Sequence, residues 1–120
     1  MKIKDDIFIN LNDAGAYSSL FIKRVASKFR RKFLLSLCTF EADMINFFDA
    51  DNNFIEPAVA EHYSPGEYLS TLANIVGANY IIPFSTFHAY NRQDSVWANK
   101  YIYPIESICK GIDSKHIYIE

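Results

Sequence analysis

The residues best suited to chemistry are gathered in one stretch, Asn79 to Trp97, NYIIPFSTFHAYNRQDSVW. An apolar run, Tyr80-Ile81-Ile82-Pro83-Phe84, gives way to a polar segment bearing Ser85, Thr86, His88, Tyr90, Asn91, Arg92, Asp94 and Trp97. A buried strand that stops where a histidine begins holds that histidine on a rigid support. A second candidate lies far upstream: Asp13 follows the apolar run Ile7-Phe8-Ile9-Asn10-Leu11 by two residues. In an open α/β sheet, ligands collect beyond the carboxyl ends of strands. If the two strands are parallel, Asp13 and His88 share a rim, and a carboxylate with an imidazole there has the donor chemistry of a divalent-metal site. Plainer roles compete. Asp13 suits a turn that caps the next helix, and His88 suits a hydrogen-bonded loop residue.

Arg92 could clamp an anionic group of a small-molecule substrate with its planar fork. Asp94 stands beside it, and Trp97 could form a pocket wall. The competing reading pairs Arg92 with Asp94 to fasten the loop and uses Trp97 as its core anchor. His62 and His116 read as surface or structural residues, since no HxH or HExxH is present. Ser36 and Ser85 lack the glycines of a nucleophile elbow. With four glycines in all, a phosphate cradle is not expected. Asp49, Asp51 and Asn53 superficially resemble a calcium loop, but the glycine and distal glutamate are missing at the required offsets.

The elements that must position these residues follow from periodicity. Ile7–Leu11 is a short strand ending in the turn Asn12-Asp13-Ala14-Gly15. It begins so near Met1 that little room is left for an earlier partner. Tyr17, Leu20, Phe21, Val25 and Phe29 recur at helical spacing, which predicts an amphipathic helix packed through them, with basic residues on its other face and at its end. Phe33–Phe40, FLLSLCTF, reads as a central strand buried on both faces. Residues 41–63 are the least legible; Ala42 to Phe48 suit a short helix or an irregular packed segment, and Asp49–Asn53 a turn. Ser64-Pro65-Gly66-Glu67 has the cap, the proline and the glutamate of a helix start, and Gly77 its stop. Pro83 lacks an N–H, so strand Tyr80–Phe84 lies at an edge there or ends there. Pro104–Gly111 reads as a short helix and Ile117–Ile119 as a last strand. This alternation predicts an α/β layer of one domain, 1–120.

Composition narrows the class. Half of the 120 residues are hydrophobic and 18 are Phe or Tyr, as in a folded chain with one core. The net charge is −2, which gives no reason to expect nucleic acid or membrane as a partner. Six of the 12 basic residues crowd into Lys23–Lys32 and read as a solvated helix face. Cys38 and Cys109 lie in apolar segments without metal spacing, as free thiols of a reducing compartment do. The N-terminus has no signal-like apolar core, and the apolar runs fall far short of a membrane span. A soluble cytoplasmic protein is expected.

Three segments then carry a resemblance: Ile9-Asn10-Leu11-Asn12-Asp13-Ala14, Ala78 to His88 with its PFSTFH strand end, and Asp94-Ser95-Val96-Trp97-Ala98-Asn99. In this order, with an α/β unit between the first two, they resemble the C-terminal half of a metallo-β-lactamase-fold hydrolase, in the branch that includes relatives of sugar-nucleotide N-acetylneuraminate hydroxylases. The resemblance implies about half of an αββα sandwich, a sheet of four or so strands with helices mainly on one face. It implies Asp13 as the bridging aspartate and His88 as the last histidine of a site for zinc or another divalent metal. The implied reaction is metal-assisted hydrolysis of an ester, amide or phosphodiester-like bond. The HxHxDH motif of that family is absent, and nothing before Ile7 can carry it. The expected protein is therefore a half, inactive alone and completed by an N-terminal half of the same fold or by a homo-oligomer. One face of its sheet should lack a covering layer. Two other readings stand beside it: a non-catalytic α/β module that binds a partner through that face, and a small metal-free enzyme using His88, Arg92 and Asp94.

Overall fold

Apolar runs of strand type come to lie side by side in the order in which the chain makes them. The computed structural model describes residues 1–12, 14, 16–38, 48–55, 64–84 and 89–119. Strand β2 (Asp6–Asn12) lies parallel to β3 (Arg31–Ser36), β3 to β4 (Tyr80–Pro83), and β4 to β5 (Ile117–Tyr118). A two-residue β1 (Lys2–Ile3) folds back antiparallel on β2 and completes a five-stranded sheet in the order β1-β2-β3-β4-β5. This hairpin corrects the expectation of no earlier partner. Lys4, at φ 52°, makes the left-handed turn that so short a return requires.

Each parallel connection steps to the adjacent strand in the same direction. Right-handed crossovers then return every helix to one face of the sheet. Helices α1 (Ser19–Ala26), α2 (Pro65–Val76) and α3 (Ile105–Lys110) follow β2, β3 and β4 in turn. Ile9, Leu11, Leu34 and Ile81 of the sheet meet Ala26 of α1, Leu69, Leu72, Ala73 and Val76 of α2, and Ile108 of α3 in one buried cluster. Burial of each large side chain there contributes about 1.5–3 kcal/mol.

The alternation of side chains leaves the other face with Phe8, Phe33, Leu35, Tyr80, Ile82 and Ile117, none of them buried. The Phe8 and Phe33 rings stack at 4.6 Å, and those of Phe33 and Tyr80 at 4.5 Å. Phe33 and Leu35 are half-buried, so β3 is less deeply buried on this face than on the face of Leu34 and Ser36. It also ends at Ser36; Leu37 and Cys38 are buried beyond it, and 39–47 lie outside the described residues. The coarse class, an α/β sheet with its helices on one face, is as expected.

Helix α1 reverses the predicted packing. Leu20 is 84% and Phe21 70% exposed, while Ile22 and Ala26 face the core. The contact with α2 selects this face: a small Ala26, fully buried, lets the two helices approach closely. Helix α2 has Pro65 in its first turn and Gly77 at φ 76° after its last, as read. Ser64 precedes the helix, but its hydroxyl makes no capping bond. The Ser64 hydroxyl instead crowds Gly111 after α3: a Cβ on Gly111 would meet its Oγ at 2.7 Å. Strand β4 stops at Pro83, with a neighbour on each side, so the proline marks an end and not an edge. No helix among the described residues is long and apolar enough to cross a membrane.

Candidate functional site

Parallel pairing decides which chain ends meet. Asn12 of β2 is in register with Ser36 of β3, and Ser36 with Pro83 of β4. The carboxyl ends of all three strands therefore form one rim. Phe84 donates its backbone N–H to the Ser36 carbonyl at 3.0 Å and extends the rim by one residue. On β2 the register slips between Asn10 and Asn12, and Asn12 adopts φ 31°. Such an irregularity at a strand end re-aims the chain as it leaves the sheet.

Two buried polar atoms at this rim, Asn12 Oδ1 and Ser36 Oγ, have no hydrogen-bond partner among the described residues. A buried group left unpaired costs about 1–3 kcal/mol, and such groups concentrate where a site has another use for them. Asp13 is the residue after Asn12, and His88 the fifth after Pro83. Both lie outside the described residues, as do Ser85, Thr86 and His62. The structure thus brings together the strand ends from which the two predicted ligands depart. Among the described residues no group of three or more potential metal-binding side chains occurs.

The third stretch of the predicted site forms a turn closed upon itself. Arg92 Nη2 donates to Asp94 Oδ2 at 2.6 Å, and both side chains are largely exposed. A pair so open to water contributes about 0–1 kcal/mol. The Arg92 carbonyl accepts the Val96 N–H at 2.8 Å, and Trp97 Nε1 donates to the Asp94 carbonyl at 2.7 Å. A 3₁₀ helix, Val96–Tyr101, continues the turn. Asn99 ties its two ends together: its Oδ1 accepts the Tyr90 N–H and its Nδ2 donates to the Tyr90 carbonyl, each at 2.8 Å. This staple escaped the residue-type reading, because an asparagine in a polar loop gives no sign of its partner. Ligand binding by Arg92 would require it to exchange Asp94 for a substrate anion.

Trp97 is only half-buried and stands in an aromatic group. Its ring meets Phe54 edge-on at 5.3 Å, Phe48 at 6.0 Å and Tyr101 at 6.5 Å. Phe48 and Phe54 are joined by an isolated antiparallel bridge around the turn at Asp49. There Asp49 Oδ1 accepts the N–H groups of Asp51 and Asn53, and Oδ2 accepts from Asn53 Nδ2. The side-chain amide of Asn53, then the backbone N–H groups, hold the Asp49 carboxyl below its usual range. A lowered carboxyl stabilises the fold above its unfolded pKa, about 3.9, and the contribution disappears as pH falls through the lower folded value. Acidification below roughly pH 4 should therefore loosen this turn. Trp97 fluorescence should report it, shifting in that range in the native chain and earlier or not at all in Asp49→Asn.

His116 lies in a turn before β5, its Nε2 at 3.1 Å from Asn74 Oδ1. It is half-buried. Cys38 is buried and Cys109 half-buried, and burial pushes the Cys38 thiol up. Comparison of the chain with protein-family models, with characterised protein sequences and with solved structures finds no match.

Proposed function

We propose that this chain is the carboxyl-terminal half of a metal-dependent hydrolase of the metallo-β-lactamase superfamily, completed by a half that brings the missing ligands. One observation carries the reading: β2, β3 and β4 are parallel and in register, so the segments after Asn12 and Pro83 leave the sheet at a common rim. Asn12 Oδ1 and Ser36 Oγ support it, as buried polar atoms at that rim with no hydrogen-bond partner among the described residues. The face of Phe8, Phe33 and Tyr80, whose side chains are only half-buried, supports it too, because half of an αββα sandwich presents one face to the other half.

Asp13 and His88 fit a divalent ion in kind, as a carboxylate and an imidazole. They fall short in number, since a catalytic zinc takes three protein ligands and keeps an open position. The ion is then shared between two halves. When bound, it would supply the activation of water for attack on an ester, amide or phosphodiester-like bond. The chain's own part would be to carry Asp13 and His88 on the segments that leave β2 and β4, the two strands on either side of β3. Arg92 would orient an anionic group of the substrate, with Trp97 as a wall beside it.

Zinc binding tests the proposal. In equilibrium dialysis the chain alone should bind zinc weakly or not at all. With an added N-terminal half bearing HxHxDH it should bind about 10- to 100-fold more tightly, the range usual for loss of ligand support. Equal affinity with and without that half would sink the idea. The stacked Phe8–Phe33–Tyr80 face favours one further reading, a non-catalytic module that docks through the sheet. That module would bind its partner equally well in the presence of a chelator.

A further inference from the structure

The chain carries its charge in blocks. Residues 1–32 hold eight basic and three acidic side chains, whereas residues 33–99 hold one basic residue, Arg92, and eight acidic ones. Each block surfaces beside exposed apolar side chains. On the first, Tyr17 is 83%, Leu20 84% and Phe21 70% exposed. At the helical period Arg24 follows them on the same stripe of α1. Lys23, Arg24, Lys28 and Arg30 make no ion pair among the described residues. On the second, Phe48, Phe54 and Ile55 are between 41% and 48% exposed, and Asp49 and Asp51 lie exposed in the turn between the two phenylalanines. Apolar patches rimmed by charge mark interaction surfaces.

From this complementarity we propose that copies of the chain associate head to tail, the α1 stripe of one copy seated on the Phe48–Ile55 strip of the next. Two α1 stripes facing each other would bring like charges together, which disfavours a two-fold contact through α1 alone. Lys100 lies over the Phe54 ring at 5.4 Å, so the strip carries one basic side chain beside the two acidic ones. A heterologous contact of this type closes into a ring or extends as a filament. The proposal uses neither the rim nor the face of Phe8 and Phe33; it touches the hydrolase reading only at Trp97, against which Phe48 and Phe54 pack.

Sedimentation velocity of the intact chain provides the test. Association should rise with concentration, pass beyond dimers, and weaken by about tenfold at roughly 0.5 M salt, where charge interactions are screened within a few ångström. The pair Leu20→Ser/Arg24→Glu blocks one surface, and Asp51→Lys/Ile55→Ser blocks the other. Each variant should be monomeric alone, with its circular dichroism unchanged. An equimolar mixture of the two should form a heterodimer and nothing larger, since one good surface of each kind remains. Monomers at every concentration would overturn the proposal. So would association that ignores salt and both variants, as contact through the sheet face would, or a mixture that stays monomeric.

Discussion

Gly66→Ala is expected to lower stability by about 3 kcal/mol, or roughly 12 °C in melting temperature for a domain of this size. Gly66 begins α2, where a helix would ordinarily gain from alanine. Here the backbone of α3 occupies the space. A Cβ would run into the Ile108 carbonyl oxygen and would lie 2.5 Å from the carbonyl carbon of Gly111. Neither obstacle is a flexible side chain that can swing aside. Accommodation must separate the start of α2 from the end of α3, and with it the packing of Ile108, which is fully buried. Gly77→Ala is the control. Its Cβ would meet only Lys23 Cγ, at 3.8 Å, so the cost is the left-handed φ of 76°, about 1 kcal/mol. Thermal unfolding followed by circular dichroism compares the two. Similar losses for both would show that the α2–α3 contact yields.

Phe33→Glu separates the open face from the core. Phe33 lies between the Phe8 and Tyr80 rings on the face without buried residues. Its replacement in the isolated chain removes two ring contacts and should cost about 1–2 kcal/mol. The effect on a second half covering that face is larger. A charge at the centre of an aromatic ladder would be taken out of water without a partner, and affinity should fall by about 2 kcal/mol or more, roughly thirtyfold. Titration calorimetry with the N-terminal half measures this. Unchanged affinity would place the contact elsewhere.

The strands and the long helix were legible because short-range chemistry decides them. Ile7–Leu11, the apolar run from Phe33 and Tyr80–Pro83 can pair only as buried strands, and Pro65 and Gly77 bound α2 by their own dihedral limits. The alternation of strands and helices predicted the α/β layer, whereas the parallel direction was only a condition there, which the pairing of β2, β3, β4 and β5 meets. The face of α1 was not legible in this way. Tyr17, Leu20 and Phe21 have helical spacing, but so do Ile22 and Ala26, and only the fit against α2 chooses between the two stripes. The β1 hairpin is too short to leave a pattern. The glycine contact between α2 and α3 was hidden because Gly66 and Gly111 each served a local reading, as a helix start and a helix stop. For the site, the rim followed from strand direction, whereas the Asn99 staple and the unpaired Asn12 and Ser36 atoms depend on neighbours distant in sequence. Asp13 and His88 themselves lie outside the described residues.

Cobalt titration of the reconstituted pair of halves is the measurement closest to the central claim. Cobalt occupies zinc sites and its visible spectrum reports the ligands around it. With the native chain the account predicts a saturable spectrum of four- or five-coordinate metal. His88→Ala and Asp13→Asn should each lower the bound metal or shift that spectrum, while His116→Ala should change neither. A spectrum and stoichiometry untouched by both His88→Ala and Asp13→Asn would contradict the account.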